Sequence, residues 1–194
     1  LLEKKVFPYH KVCGEYISNE SWNYLISLGV NLPSFNLPKI NQLKVTTVEQ
    51  NELNHPLKKG GFGISRYLLD FELSKIAKDE GVELLENQKV IHVEQRKNSG
   101  KVHTESNFFK ANIVVGAYGK RSKLDKKLNR SFSFKTMEAS QNYVGVKYHI
   151  KADLSEEFIG LHLFDNGYCG ISKIEENRYC FFSANFSITA SLSI

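Results

Sequence analysis

Residues 113–122 have the sequence Ile-Val-Val-Gly-Ala-Tyr-Gly-Lys-Arg-Ser, which indicates the kind of fold more directly than any other stretch. Its first three residues are β-branched, and such a short run is typical of a strand buried on both faces of a parallel sheet. The run ends at Gly116, and the segment from there to Gly119 predicts a turn because glycine permits a tight change of direction. A basic helix over residues 122–128 is expected to follow. The stretch therefore predicts a buried strand, a glycine turn and a helix in succession.

Upstream of this stretch lies the clearest helix of the chain. Ser65 is a favourable N-cap residue, and Gly81 is a favourable residue to end the helix. Between them, Leu69, Leu73 and Ile76 recur at helical spacing and predict one buried face. A small β-meander is predicted between this helix and the strand at 113–115.

The remaining patterns are mostly those of half-buried strands. Alternation of apolar and polar residues predicts a strand at 43–47 and another that runs up to the glycine-rich segment 60–63. A short helix is predicted over residues 19–28. Four successive strands of an antiparallel sheet are predicted in the last third of the chain: 143–150, 160–164, 168–174 and 178–182. The fold class is therefore α/β (α+β mixed), with an antiparallel β-sheet forming a second domain.

Composition excludes several classes of protein. The chain has 194 residues, of which 41% are hydrophobic and 24% charged, as in a globular protein. The net charge of +5 arises from scattered residues apart from a basic cluster at 120–130, which faces either an anion or solvent. A nucleic-acid surface would need a longer basic stripe with interleaved aromatic residues, so no nucleic-acid partner is expected.

Cysteine usage and hydropathy indicate the compartment. Three cysteines at unrelated spacings fit a reducing, cytoplasmic environment better than a disulfide framework. His10 and Cys13 lack a second closely spaced pair of ligands, so no metal site is expected. No apolar run approaches the ~20 residues that span a bilayer, which leaves peripheral contact with a membrane open.

Four motifs occur in an order that resembles one flavoprotein superfamily, the FAD-dependent oxidoreductases that include geranylgeranyl reductases and p-hydroxybenzoate hydroxylases. The motifs are Glu3 after Leu-Leu, the segment Lys-Val-Cys-Gly-Glu at 11–15, Ser-Arg-Tyr-Leu-Leu-Asp at 65–70, and the glycine turn at 114–122. The resemblance covers about residues 1–175. It implies a partial Rossmann-like FAD-binding domain in residues 1–34 and 62–130, and a partial substrate-binding β-sheet domain in residues 35–61 and 131–194.

The resemblance implies roles for the first two motifs. Glu3 matches the acid that accepts hydrogen bonds from the adenosine ribose of FAD. Lys11 matches a basic residue near the phosphate or ribityl oxygens, and Gly14 allows close approach of the backbone. Cys13 is the one candidate catalytic residue, placed beside the substrate or the isoalloxazine ring; a small buried hydrophobic residue is the alternative.

The other two motifs complete the implied FAD site. Arg66 matches an arginine that reaches towards the ribityl and phosphate region. The alternative is an exposed ion pair with Asp70 four residues later, and the resemblance favours the cofactor role. Val90 matches a strand position whose backbone contacts the adenine. The last element consists of Gly116, Ala117, Tyr118 and Gly119, in which tyrosine replaces the aspartate usual in the family. A phenol carries no charge at pH 7, so use of a nicotinamide is less firmly implied than use of FAD.

The implied function is transfer of reducing equivalents from NAD(P)H through FAD to a small apolar substrate of the prenyl type. Alternatives are a monooxygenase, a halogenase, or a truncated fragment without catalytic activity. The family's G-x-G-x-x-G turn and its C-terminal Gly-Asp-Ala element are not in the sequence, so we expect the chain to be incomplete at both ends. Residues that would line a substrate face, or simply pack one side of the sheet, are Tyr148, His149, His162, Phe164 and Tyr168.

Overall fold

A computed structural model describes residues 1–119, 122–130 and 143–186 of the chain. These residues form ten β-strands and three α-helices. The strands are β1 Tyr16–Ser18, β2 Lys39–Thr46, β3 Glu52–Gly63, β4 Val90–Arg96, β5 Ser99–Thr104, β6 Phe108–Ala111, β7 Tyr143–Ile150, β8 Phe158–Phe164, β9 Gly167–Lys173 and β10 Tyr179–Phe186. The helices are α1 Trp22–Ser27, α2 Arg66–Asp79 and α3 Leu124–Lys127, with 3-10 turns at Asn19–Ser21 and Leu32–Phe35.

A seven-stranded sheet joins distant parts of the chain. Its strand order is β1-β3-β2-β8-β9-β10-β7. Neighbouring strands are antiparallel except β2 and β8, which run parallel from the pair Gln42–Phe158 to the pair Thr46–His162. The four strands predicted in the last third of the chain are confirmed, and the parallel pairing joins three strands from the first third, β1, β2 and β3, to the same sheet.

The hydrophobic core lies where α1 and α2 pack against the end of β3. Its buried members are Leu25, Val30, Leu32, Phe62, Ile64 and Leu69. The ring of Trp22 meets the ring of Phe62 edge-on, at 5.0 Å between centroids. Gly63 allows the end of β3 to lie directly against the end of β9, because a Cβ at that position would lie 1.8 Å from the carbonyl oxygen of Lys173.

Helix α2 begins and ends as its sequence predicts. The Ser65 hydroxyl accepts a hydrogen bond from the Leu68 amide at 3.1 Å, which satisfies one of the free N–H groups of the first turn. Gly81, just beyond the helix, has φ +84°, a left-handed conformation that glycine adopts without strain. The helix therefore presents its N-terminus at a fixed position beside β3.

The predicted β-meander is confirmed as a three-stranded sheet of order β4-β5-β6. The predicted buried strand at 113–115 is wrong: these residues belong to no strand, and Ile113 and Val115 are 79% and 84% exposed. Such a strand needs parallel neighbours on both sides, and in the described residues the only parallel pairings are β2 with β8 and a single bridge between Leu2 and Leu85. The fold is thus mixed and sheet-rich, but it lacks a parallel sheet of Rossmann type within the described ranges.

None of the helices in the described ranges combines the length and the hydropathy required to cross a membrane.

Candidate functional site

The N-terminal residues that the sequence singles out form a connected row of contacts. The Glu3 carboxylate accepts hydrogen bonds from the Tyr9 hydroxyl at 3.1 Å and from the Lys5 amide at 3.0 Å. The Lys11 ammonium lies 4.8 Å from the centre of the Tyr9 ring. That same ammonium is 2.6 Å from Oδ2 of Asp70, at the start of α2. Glu3 and Lys11 are therefore brought to one surface that ends at helix α2.

Asp70 joins Lys11 to Arg66 at the other end of the row. The Arg66 guanidinium donates from Nε and Nη2 to the two Asp70 oxygens, at 2.7 and 2.9 Å. Burial alone would raise the pKa of Asp70, but hydrogen bonds from Arg66 and Lys11 outweigh it and lower the pKa. The ion pair expected from the sequence is present, and because two cations share one carboxylate, the group keeps a net positive charge.

A buried carboxylate, Glu15, lies next to this row. Its Oε1 accepts from the Arg66 amide at 2.8 Å and from the Lys147 ammonium at 2.6 Å. Its Oε2 lies 2.6 Å from Nε2 of His149. Burial would raise the pKa of Glu15, but the hydrogen bonds from Lys147, the Arg66 amide and His149 outweigh it and lower the pKa. Glu15 thus ties the 11–15 segment to the N-terminus of α2 and to strand β7.

The local backbone explains why these side chains converge. Glu15 has φ 56°, a left-handed conformation that is uncommon for a residue other than glycine. Along β7, side chains alternate between the two faces of the sheet, so Lys147 and His149 point inward while Val146 and Tyr148 are 43% and 60% exposed.

Two cysteines flank Glu15. The Cys180 thiol donates to the backbone carbonyl of Cys13 at 3.4 Å, and the Glu15 amide donates to the sulfur of Cys13 at 3.5 Å. Burial, reinforced by the neighbouring Glu15 carboxylate, raises the pKa of Cys180 far above its usual value. Cys13 is half-buried.

Val90 lies in the smaller sheet, and the glycine turn follows β6, the last strand of that sheet, along the chain. The Tyr118 hydroxyl donates to Oδ1 of Asp125 at 2.6 Å, and this hydrogen bond raises the pKa of the phenol. Gly119 has φ +72°, as a turn requires. Val90 pairs with Thr104 at the start of β4, next to Ile91, whose carbonyl accepts from the Lys127 ammonium at 2.8 Å.

The proposed substrate-face residues do not form one surface. Tyr148 and His149 are consecutive in β7, so they lie on opposite faces of the sheet. His162 is held in a hydrogen bond of 2.8 Å with Thr46. Tyr168 contacts Phe182 on the same face as His149, with 5.8 Å between ring centroids.

Sequence reasoning missed the Glu15 cluster. A signal was nevertheless present, because Lys147 and His149 occupy alternate positions of an otherwise apolar strand and so must share one face. A lysine on the inward face needs an anionic partner. The identity of that partner, 132 residues away in sequence, follows only from the fold.

Known structures share this architecture. A flavoprotein/dehydrogenase from Cytophaga hutchinsonii superposes with a TM-score of 0.73 at 12% identity, covering 95% of this chain and 48% of that one. A geranylgeranyl bacteriochlorophyll reductase-like protein from Thermoplasma acidophilum gives 0.71 at 13% identity, covering 95% and 49%. The chondrochloren halogenase of a myxobacterium, a variant of FAD-dependent halogenases, gives 0.69 at 14% identity, covering 95% and 46%.

This chain has the fold of the matching half of these three structures. It spans about half the length of each of the three structures. No protein-family profile and no curated protein sequence matches it. The likeness therefore lies in the course of the backbone and does not extend to the amino-acid sequence.

Proposed function

We propose that this chain is part of an FAD-dependent oxidoreductase and supplies residues that face the ribose and phosphates of FAD. The observation that supports the proposal best is the row from Glu3 through Lys11 to Arg66. Three residues assigned to FAD from separate sequence motifs lie in one chain of contacts, in a protein whose backbone follows that of known flavoproteins.

The side chains of the row fit the cofactor chemically. Glu3 is only half-buried, and a carboxylate can accept about four hydrogen bonds, so it retains capacity for ribose hydroxyls beside its two present donors. Lys11 and Arg66 leave a net positive charge after pairing with Asp70, which suits a pyrophosphate. Gly14 is exposed, and a Cβ built on it would meet nothing within 4 Å, so its backbone is open to a flat ring.

When bound, FAD supplies the redox chemistry, and the protein positions its partners and controls access of water. In this arrangement Glu3 orients the adenosine end of the cofactor, and Lys11 with Arg66 orients the phosphate end. Glu15 affects the cofactor only through Arg66, because it accepts a hydrogen bond from the Arg66 amide and so fixes the first turn of α2. Tyr118 supplies no carboxylate, and its hydroxyl already donates to Asp125, so this residue adds no negative charge of its own to the turn.

For the reaction of the whole protein, we favour reduction of a prenyl-type substrate with NAD(P)H as the reductant. The Lys-Val-Cys-Gly-Glu segment supports this choice, as does the similarity to the geranylgeranyl bacteriochlorophyll reductase-like structure. The similarity to an FAD-dependent halogenase favours a second candidate, halogenation or oxygenation. With the complete protein, anaerobic reduction of a prenyl double bond supports the first reaction, whereas a requirement for oxygen supports the second.

The cofactor assignment is tested by titrating the 194-residue chain with FAD and following flavin fluorescence. We expect saturable binding that weakens about tenfold or more in Glu3→Ala and in Arg66→Ala, because each loses a charge-assisted hydrogen bond. Glu105→Ala removes an exposed carboxylate that pairs with Lys89 and serves as the control, with unchanged affinity. Equal binding by all variants, or no binding by a folded chain, would refute the assignment.

A further inference from the structure

Three side chains of metal-binding type meet beneath strand β7. One ligand atom from each of Glu15, His149 and Cys180 lies within 4.8 Å of the others. The side chains of Glu15 and His149 are 0% and 10% exposed, and Cys180 is 1% exposed. They come from three separate segments, which is why ligand spacing along the sequence indicated no metal site.

We infer that Glu15, His149 and Cys180 form a binding site for a divalent cation of the zinc type. A carboxylate oxygen, an imidazole nitrogen and a thiolate sulfur are all ligands that zinc accepts in tetrahedral sites. Three protein ligands leave the fourth position for a water molecule. The inference is independent of the FAD assignment, since none of the three residues is assigned to contact the cofactor.

His149 presents its Nε2 to the cluster, 2.6 Å from the Glu15 carboxylate. An ion held between the three side chains would therefore bind Nε2, and the ring proton would lie on Nδ1. Nδ1 is buried and has no hydrogen-bond partner among the described residues.

Binding of a divalent ion changes the charge of the cluster. The ion displaces the proton of Cys180, which passes to solvent. The thiolate and the Glu15 carboxylate then face both the ion and the Lys147 ammonium, and a hydroxide as the fourth ligand would balance the one positive charge that is left. Lys147 remains on Oε1 of Glu15, so Oε2 is the oxygen available to the ion. Tetrahedral zinc holds its oxygen and nitrogen ligands about 3.3 Å apart, so Oε2 and Nε2 must separate slightly from their present 2.6 Å if both bind the ion.

Cobalt(II) is the probe of choice because its spectrum reports both sulfur ligation and coordination number. The untagged chain is titrated with cobalt(II) alone, without FAD. We expect one equivalent to bind, with a near-ultraviolet charge-transfer band from the thiolate and strong visible bands of a four-coordinate ion. Zinc(II) should displace cobalt(II) and raise the thermal unfolding midpoint, because a ligand that binds only the folded state stabilises it.

Variants locate the site. Cys180→Ser should abolish the charge-transfer band, and His149→Gln should weaken cobalt binding at least tenfold. Cys169→Ser is the matched control, because Cys169 lies in β9 on the opposite face of the sheet from Cys180, and it should keep the full spectrum. Far-ultraviolet circular dichroism verifies that each variant is folded.

Three results would overturn the inference. The first is the absence of a charge-transfer band when the folded parent chain is saturated with cobalt(II). The second is a band that survives in Cys180→Ser, and the third is a zinc-dependent rise in the unfolding midpoint that His149→Gln leaves unchanged. Should Cys180→Ser fail to fold, the His149→Gln titration decides the matter alone.

Discussion

Replacing Lys147 by methionine isolates the energetic role of the buried ion pair. The change removes the ammonium group but keeps an unbranched side chain of similar length. The side chains of Lys147 and Glu15 are 5% and 0% exposed, so the carboxylate would remain buried without its cation. Removal of one partner from such a pair costs about 3–5 kcal/mol. Because the Arg66 amide and His149 still donate to Glu15, we expect the lower end, about 3 kcal/mol of unfolding free energy.

The measurement is urea denaturation followed by far-ultraviolet circular dichroism. Lys89→Met is the control, because that lysine pairs with Glu105 and the two side chains are 61% and 62% exposed. An exposed pair of this kind contributes about 0–1 kcal/mol. If Lys147→Met costs no more than Lys89→Met, the claim that Glu15 depends on a buried counter-ion is refuted.

A double variant separates the loss of the pair from the loss of packing. Glu15→Gln combined with Lys147→Met removes both charges while an amide oxygen still accepts from the Arg66 amide. We expect this double variant to be more stable than Lys147→Met alone, because no uncompensated charge remains inside the protein. The opposite order would mean that the cost of Lys147→Met lies in lost packing.

Three further predictions concern the backbone and the surface row. Ser65→Ala should destabilise the chain by about 1 kcal/mol in the same urea assay, because the N-cap hydrogen bond of α2 is lost; an unchanged midpoint would contradict the cap. Gly63→Ala should reduce the unfolding free energy by at least about 2 kcal/mol, because its Cβ would collide with the carbonyl oxygen of Lys173. Gly14→Ala is the control: its Cβ meets nothing within 4 Å, so its unfolding free energy should stay close to that of the parent. The lowered pKa of Asp70 adds stability above the pKa of an unfolded aspartate, about 3.9, and this contribution is lost as pH falls through the lower folded value. Asp70→Asn should therefore flatten the loss of stability below about pH 4, and an acid profile identical to that of the parent would show that Asp70 is not responsible.

Local sequence signals predicted the local elements well. Ser65 and Gly81 bound α2 as expected, because capping depends on a few neighbouring backbone groups. The strands of the last third were also predicted, because alternation reflects which face each side chain takes. The prediction of a buried strand at 113–115 was wrong because β-branched residues indicate only a local preference for a strand. Burial of such a strand also depends on parallel neighbours, which the described residues do not provide.

Contacts between residues far apart in the chain could not be predicted from the sequence. The Lys11 to Glu15 segment and Arg66 were both singled out, yet their meeting through Asp70 rests on how the segment folds back over α2. The partnership of Glu15 with Lys147 could not be derived, because nothing local relates the two residues. All the assignments of residues to FAD stay predictions: Glu3, Lys11, Cys13, Gly14, Arg66, Val90, Gly116, Ala117, Tyr118 and Gly119.

The parallel pairing of β2 with β8 has a consequence for how the chain is made. Strands β1, β2 and β3 are synthesised before β8 and can pair with one another at once. The edge of β2 that pairs with β8 stays open until residues 158–162 leave the ribosome. Pairings between such distant segments form slowly, and an open strand edge can pair with other chains. The nascent protein therefore exposes this edge while the residues between β3 and β8 are made, and low temperature or chaperones that delay association should raise its soluble yield.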